Sequence, residues 1–423
     1  MPAKKTTKKS APKAKAAASG FVFADPQPSP DDYSGFSQSD LQADSAAKTS
    51  DQLEPFPASR TPAVINLSDV LGSATVQQIN TAGSISFHCV GDTGGIKEPS
   101  YQFAVADEMA ADLQGKSYKG GRAAFFYHLG DVVYYLGQER YYYDQFYDPY
   151  RDYDGPILGI PGNHDGMISP SIPGQKTLEG FLENFCTKQP SHNPEAQGVA
   201  RTTMTQPGVY FTLDAPFVKI IGLYSNTSEG TTQGVISGSV VGNAQLNFLK
   251  QQLTAAAQQR KSKKQFALII AVHHPPFTGS ESHAPSPNVL KDIDSVCKTA
   301  GILPDIVVSG HAHLYERYTR YVGADQIPFL VAGMGGYFNL SGFKPSSNGT
   351  KPKPPVVTKD ASGNKLVLET YNDNSFGFLR LSVSATTLKC SFVTVDPNPK
   401  APPTIGIGDS FTLNLGNHTV STP

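Results

Sequence analysis

The 423-residue chain contains no tryptophan, only four cysteines and no long apolar run. Cys89, Cys186, Cys297 and Cys390 lie far apart and form no Cys-x-x-Cys pair, which speaks against a disulfide scaffold and a zinc knuckle. This pattern fits a reducing compartment. No run reaches the roughly 18 to 20 apolar residues that a membrane helix needs, so we expect no membrane span.

The first 60 residues differ in composition from the remainder. Residues 1–19 hold six lysines and no acidic residue, and leaving these lysines out changes the formal net charge from −1 to −7. Residues 25–60 are acidic, polar and rich in proline. We expect 1–60 to be a disordered tail, whose basic part is either simply solvated or contacts a polyanion. The start lacks the apolar stretch of a secretory signal, which favours a cytoplasmic location.

From residue 84 onward, short apolar runs alternate with segments of helical spacing. Five runs share one form: ISFHCVG (85–91), AAFFYHLGD (123–131), ILGIPGNHD (157–165), FALIIAVHH (266–274) and DIVVSGHAH (305–313). Later segments, such as FGFLRLSVS, alternate like half-buried antiparallel strands. The pattern predicts an α/β fold with some parallel pairing, formed by residues 61–423 as a single domain.

Each of the five runs ends in, or is followed by, residues that can bind a metal ion. These residues are Asp92, Asp131 with Tyr134, Asn163 with His164, His273 with His274, and His311 with His313. A single Gly-Asp pair would be ordinary turn chemistry, but five such ends in one chain are hard to obtain by chance. Because ligands bind at the carboxyl ends of strands in open α/β sheets, we expect the residues to gather at one sheet edge.

The types of side chain at these ends indicate the chemistry. Carboxylates, imidazoles and amide oxygens suit Fe, Zn and Mn, and the set is too large for one four-coordinate zinc. It predicts two metal ions that share a bridging carboxylate. Two ions about 3.5–4 Å apart stabilise the attacking and leaving oxygens of a displacement at phosphorus, and a metal-bridging hydroxide would be the nucleophile.

The motifs GDTG, GDVVY, GNHD, AVHHP and GHAH resemble those of the calcineurin-like metallophosphatases, over roughly residues 84–395. More narrowly, they are similar to purple acid phosphatases. Gly94 stands where most of the superfamily has a histidine, and Tyr134 stands where that subgroup has a metal-binding tyrosine. The resemblance implies a four-layer β-sandwich of mixed sheets flanked by helices. It also implies acid phosphatase activity, the hydrolysis of a small phosphomonoester.

The resemblance further implies a role for each residue of the motifs. The ligands would be Asp92, Asp131, Tyr134 and His313 for a ferric ion, and Asp131, Asn163, His273 and His311 for a divalent ion (Fe, Zn or Mn). A free phenol has a pKa near 10, so a phenolate ligand at neutral pH needs a strongly acidic cation such as Fe(III).

Further histidines receive weaker assignments. By the resemblance, His164 would lie beside the substrate phosphate, with Asp165 orienting its ring. His283 is either a general acid or an exposed loop histidine, and His274 would contact the ligands without binding metal. The others are predicted to be structural or surface residues: His88, His128, His192 and His418.

Three interpretations of function stay open at this point. The first is phosphomonoester hydrolysis, and the second is a phosphodiesterase or nucleotidase on the same scaffold. The five motifs do not separate these two, because substrate choice depends on the loops. The third is a basic-tailed binding protein with a structural metal site. The complete ligand set speaks against it, because a structural site needs no open, water-bearing edge.

Overall fold

The fold is that of a computed structural model, which describes residues 55–115, 121–168, 174–225, 234–262, 265–398 and 401–423. The basic segment 1–19 and most of the predicted tail lie outside the described residues. Residues 55–60, also assigned to the tail, contact the domain. The guanidinium of Arg60 donates to four backbone carbonyls between residues 186 and 206, and the ring of Phe56 packs edge-on against Tyr210 and Tyr224.

The described residues form sixteen β-strands. In chain order they are β1 (Val64–Asn66), β2 (Ser84–Val90), β3 (Ala123–His128), β4 (Ile157–Gly159), β5 (Phe211–Ala215), β6 (Val218–Leu223), β7 (Ala267–Val272), β8 (Ile306–Ser309), β9 (Tyr315–Val322), β10 (Asp325–Ala332), β11 (Val356–Lys359), β12 (Lys365–Asn372), β13 (Phe376–Ser384), β14 (Thr387–Asn398), β15 (Ala401–Asn414) and β16 (Thr419–Ser421).

The strands build two mixed sheets. The nine-stranded sheet has the order β1-β5-β6-β7-β8-β10-β9-β12-β11, and the seven-stranded sheet has the order β16-β15-β14-β13-β2-β3-β4. Parallel pairing joins β2 to β3 and β3 to β4 in one sheet, and β6 to β7 and β7 to β8 in the other. The five strands that lead to the candidate metal ligands all belong to these parallel pairs. Within each sheet, their carboxyl ends therefore lie at the same edge.

Seven α-helices lie among the described residues. Their bounds are Leu67–Leu71, Ser73–Ala82, Ser100–Leu113, Asn163–Gly166, Glu179–Phe185, Ala244–Lys261 and Pro287–Ala300. The longest helix contacts β6 and the helix Pro287–Ala300, whereas Ser100–Leu113 contacts β3, β13 and β14. No helix among the described residues combines the length and the apolar character that crossing a membrane requires.

The inner faces of the two sheets pack against each other. Tyr127 of β3 lies 6.2 Å from Phe211 of β5, and Tyr315 of β9 stacks on Phe392 of β14 at 4.4 Å, ring centre to ring centre. The predicted α/β sandwich of mixed sheets flanked by helices is thus confirmed.

The aromatic segment 138–150 departs from a regular helix. It forms a 3₁₀ turn at Glu139–Tyr141 and a π turn at Tyr143–Tyr147. The rings of Tyr142, Tyr143, Phe146 and Tyr147 are buried, whereas Arg140 is exposed and Asp144 is half-buried. The segment therefore packs its aromatic rings into the core and keeps Arg140 and Asp144 toward the surface.

Candidate metal centre

The turns that carry the five motifs follow strands of both sheets and contact one another. The backbone N–H of His311, after β8, donates to Asp92 Oδ2, after β2, at 2.8 Å. The ring of His273, after β7, donates through Nδ1 to the carbonyl of Leu129, after β3, at 2.7 Å. The expectation of one sheet edge was therefore wrong: the residues come from the carboxyl edges of two facing sheets.

The backbone of these turns is held in an uncommon conformation. Asp92, Asp131 and His311 have left-handed φ angles of 56°, 55° and 69°. A residue other than glycine in such a sparsely populated backbone region costs about 1 to 3 kcal/mol, and such strain clusters at functional sites. A Cβ on Gly162 would lie 2.1 Å from Asp131 Oδ1, so this turn also requires glycine. The turns direct the ligand side chains toward one another at the expense of local stability.

Three candidate ligand atoms form a first group. Tyr134 Oη lies 3.3 Å from Asp92 Oδ1 and 3.4 Å from His313 Nε2, and the last two atoms are 3.5 Å apart. The ring of His313 donates from Nδ1 to the carbonyl of Asn339 at 3.1 Å. A neutral His313 therefore carries its lone pair on Nε2, the nitrogen that faces the group.

A second group adjoins the first. Asn163 Oδ1 lies 3.1 Å from His273 Nε2 and 2.9 Å from His311 Nδ1. Asp131 Oδ2 is 3.3 Å from His273 Nε2, while Asp131 Oδ1 accepts the backbone N–H of His164 at 2.8 Å. The ligand atoms of Asp131, His273 and His311 all lie within 4.8 Å of one another.

Both groups are buried and rich in negative charge. Asp92 and Asp131 are 0% and 1% exposed, and within the described residues neither forms an ion pair with a lysine or arginine. Buried carboxylates without a cation are strongly unfavourable. Burial lowers the pKa of His273, but the charges of Asp131 and Asp92 outweigh it and raise that pKa to about 9. The buried carboxylates of the site therefore require a compensating positive charge.

The phenol and the remaining imidazoles respond to the same surroundings. Burial, followed by the charges of Asp131 and Asp92, raises the pKa of Tyr134 well above its ordinary value. Burial and the neighbouring imidazoles hold the pKa of His311 well below its usual range, so its ring is neutral, as a metal ligand must be. Atoms bound to one ion at about 2.1 Å lie roughly 3 to 3.5 Å apart, so the observed spacings fit two cations.

His164 lies beside the first group but is not oriented as expected. Its Nδ1 donates to the carbonyl of Tyr135 at 2.7 Å, and its ring centre is 4.6 Å from that of Tyr134. The carboxylate of Asp165 instead accepts the backbone N–H groups of Gly162, Val132 and Val133 at 2.8 to 3.2 Å. The expectation that Asp165 orients His164 was wrong, because this carboxylate secures the turns that follow β3 and β4.

The structure places His283 at the site rather than on an isolated loop. Its ring centre lies 4.7 Å from that of His311 and 4.9 Å from that of His313. Its Nδ1 lies 3.0 Å and 3.2 Å from the hydroxyls of Ser282 and Ser341. Burial, followed by the neighbouring imidazole of His313, lowers the pKa of His283 to about 2.

The other histidines have structural partners. His274 Nδ1 lies 2.7 Å from the hydroxyl of Ser225, and its ring packs against that of His311 at 4.2 Å. His88 bridges Asp112 and Tyr153. His128 contacts Thr93, His418 contacts Asp305 and His192 is exposed. Among the described residues, none of these rings forms a hydrogen bond with a ligand atom of either group, in keeping with their predicted roles.

The sequence analysis missed the loop at 333–343, between β10 and β11. The ring of Tyr337 lies 4.2 Å from that of Tyr134 and 4.5 Å from that of His313. The backbone N–H of Ser341 donates to the carbonyl of His313 at 2.8 Å. The run before this loop, IPFLVAGMGG, also ends in glycines, but no metal-type side chain follows, so the pattern did not select it.

Comparison with known proteins identifies the family. The Metallophos family, described as calcineurin-like phosphoesterase, matches residues 85–315, more than half of the chain. A search of curated proteins found no match to the sequence.

Solved structures show a similar chain trace. GAP50, the anchor in the inner membrane complex of Plasmodium, is 14% identical with a TM-score of 0.47, over 77% of this chain and 88% of that one. PhoD is 12% identical with a TM-score of 0.45, over 80% and 71%. A putative 5′-nucleotidase from Staphylococcus aureus is 13% identical with a TM-score of 0.32, over 78% and 54%. The match over residues 85–315 shows that the chain belongs to the calcineurin-like phosphoesterases, a family that hydrolyses phosphoesters at a dinuclear metal centre.

Proposed function

We propose that the protein is a phosphomonoesterase of the purple acid phosphatase type. The observation that carries the proposal is the pairing of Tyr134 with Gly94. A Cβ on residue 94 would lie 2.7 Å from Cδ2 of Tyr134 and 2.3 Å from Oε1 of Gln145. Gln145 in turn binds both the N–H and the carbonyl of Tyr134, at 2.8 and 2.9 Å. A side chain at position 94 and the phenol at the ligand group therefore exclude each other.

In this proposal the first group holds a ferric ion and the second a divalent ion. Asp92, Tyr134 and His313 would bind Fe(III), which is acidic enough to keep a buried phenol ionised. Asn163, His273 and His311 would bind Fe, Zn or Mn, and Asp131 would bridge the two. Such a pair of ions supplies a nucleophile from water near neutral pH and stabilises charge on the transferring phosphoryl group.

The chain contributes two further groups to the proposed reaction. His164, fixed by the Tyr135 carbonyl, would stabilise charge on the phosphoryl oxygens. His283 would deliver a proton to the leaving oxygen once the negative charge of a bound phosphoryl group raises its pKa above the low value that burial imposes. Because Ser282 and Ser341 contact its Nδ1, Nε2 is the nitrogen that would carry this proton. Its position against two ligand rings supports the role, since a general acid must lie within hydrogen-bond reach of the leaving group.

Metal analysis, a visible spectrum and assays test the proposal together. We expect iron plus a second metal, a charge-transfer band in the visible range, and hydrolysis of p-nitrophenyl phosphate that a chelator abolishes. Tyr134→Phe should remove the band and leave the far-UV circular dichroism unchanged. Hydrolysis of bis-p-nitrophenyl phosphate in preference to the monoester would favour a diesterase. A colourless, iron-free and active protein would contradict the purple acid phosphatase assignment.

A further inference from the structure

A second apolar cluster, separate from the main core, adjoins the first ligand group. Its buried members are Ile96, Tyr134, Tyr135, Leu136 and Met167, and its half-buried members are Tyr141, Tyr337 and Phe338. We call three of its rings, Tyr135, Tyr337 and Phe338, the aromatic wall. Since Tyr134 belongs to this cluster and is also a proposed metal ligand, the wall is continuous with the candidate metal centre.

The wall starts at the ligands and extends outward. The ring of Tyr337 packs on Tyr134 and His313, and its backbone N–H donates to the carbonyl of Asp92 at 3.0 Å. The ring of Phe338 follows at 4.8 Å from that of Tyr337. On the other side of Tyr134, the ring of Tyr135 lies 6.1 Å from that of His164.

The outer part of the wall is partly exposed and carries a positive charge at its rim. Tyr337 and Phe338 are half-buried, although their neighbours Gly335 and Gly336 are buried. The exposed Lys97 holds its ammonium 4.4 Å above the centre of the Phe338 ring. Single exposed rings are common on protein surfaces, but adjacent rings that extend from the surface to a buried polar site indicate a surface that binds a ligand.

We propose that the aromatic wall binds the leaving group of the substrate, and that the preferred substrates are phosphoesters whose leaving group carries a planar aromatic ring. This inference rests on the proposed phosphoesterase function. A phosphoryl group held by the two ligand groups places its ester oxygen within a few bonds of the wall. An aryl group or a nucleobase can stack on the half-buried rings of Tyr337 and Phe338, whereas a short aliphatic group leaves their accessible surface in contact with water.

Competitive inhibitors test the wall without any chemical step. The inhibition constants of phenylphosphonate and methylphosphonate are compared in the wild type and in Phe338→Leu. We expect phenylphosphonate to bind about ten-fold more tightly in the wild type, and the ratio to fall at least three-fold in the variant. Tyr321→Leu is the matched control, because that ring lies at the far end of β9 and also has a lysine, Lys365, above it at 4.3 Å. Its ratio should match that of the wild type.

Substrate pairs distinguish the two sources of an aromatic ring. The values of kcat/KM for adenosine 5′-phosphate and ribose 5-phosphate are measured beside those of the phosphonates. A preference for the nucleotide that Phe338→Leu reduces supports the wall with a nucleobase as occupant. Equal rates for this pair, together with tight binding of phenylphosphonate, support it with an aryl group.

Two different failures are separable. If both phosphonates inhibit equally and Phe338→Leu changes neither constant, the wall does not bind the leaving group, although the phosphoesterase function stands. If neither phosphonate inhibits and no phosphoester is hydrolysed by the metal-loaded protein, the proposed function fails, and this inference fails with it.

Discussion

The two sheets supply different chemistry to the candidate centre. The seven-stranded sheet supplies oxygen atoms, from two carboxylates, one phenol and one amide: Asp92, Asp131, Tyr134 and Asn163. The nine-stranded sheet supplies imidazole nitrogens, from His273, His311 and His313. Each ligand group combines oxygens of one sheet with nitrogens of the other, so neither sheet alone can hold either ion.

This division explains how charge is distributed across the site. The oxygen side is anionic and pairs with no lysine or arginine among the described residues, whereas burial and the neighbouring imidazoles lower the pKa of His311. Backbone contacts between the sides, such as His311 N–H to Asp92 Oδ2, fix their separation. The site is therefore a product of the closed sandwich, and its stability depends on both sheets.

Asp131→Ala should have the largest effect, because Asp131 is the proposed bridge between the groups. We expect loss of both metals and an activity decrease of at least about 1,000-fold. Elemental analysis and the p-nitrophenyl phosphate assay measure these. Asp214→Ala is the control and should keep both metals, because the half-buried Asp214 of β5 pairs with Lys219 of β6 rather than with the centre. Near-normal metal content in Asp131→Ala would contradict the bridging role.

His164→Ala should act on turnover and leave the ligands in place. Loss of a group that assists proton transfer or charge stabilisation lowers kcat by roughly 100-fold. The metal content should equal that of the wild type, since no proposed ligand is removed. His192→Ala, an exposed histidine, serves as the control. Unchanged kcat in His164→Ala would exclude the proposed role.

The structure brings together the candidate ligands that the sequence selected, but in an arrangement that the sequence did not predict. Apolar runs that end in Gly-Asp, Gly-Asn-His or His-His are visible along the chain, so Asp131 and His273 could be selected without a structure. The sequence does not show which strands share a sheet, because pairing between distant strands such as β2 and β13 depends on the whole chain. One edge was therefore expected where two edges meet.

The roles of residues that act through their backbone or by packing could not be predicted from the sequence either. Asn339 contributes a carbonyl, which any residue could supply, and Tyr337 contributes a ring in a glycine-rich loop. Asp165 binds three backbone N–H groups that only the folded turns bring together. Such roles leave no spacing pattern, because they depend on positions fixed by other parts of the fold.

Glu316→Gln tests how a buried carboxylate of the nine-stranded sheet contributes to the stability of the protein. Glu316 of β9 is fully buried and accepts the N–H of Gly279, in the loop that leads to His283, at 2.7 Å. Burial raises the pKa of Glu316 from 4.5 to about 7. Because the pKa of Glu316 is higher in the folded protein than in the unfolded chain, its contribution to the free energy of unfolding is full below pH 4.5. This contribution is lost as the pH rises through about 7.

The glutamine variant keeps the acceptor but cannot ionise. Between pH 5 and pH 9, the wild type should lose on the order of 3 kcal/mol of unfolding free energy relative to Glu316→Gln. Urea unfolding at both pH values measures this difference. Parallel pH profiles for the two proteins would show that Glu316 does not titrate as proposed.

Two truncations should have the smallest effects and test the proposed domain boundary. Removing residues 1–54 should change neither activity nor unfolding free energy, because the proposed catalytic domain lies beyond them. Removing 1–60 also removes Arg60 and its hydrogen bonds to four carbonyls, and should cost about 2 kcal/mol. Urea unfolding separates the two variants. Equal stability would mean that Arg60 does not anchor this segment.

Anomalous X-ray diffraction from crystals of the metal-loaded protein tests the central claim most directly. We predict two anomalous peaks, one among Asp92, Tyr134 and His313 and the other among Asn163, His273 and His311, with Asp131 between them. Data on both sides of the iron edge should assign iron to the first peak. A single peak, or two peaks away from these residues, would contradict the account.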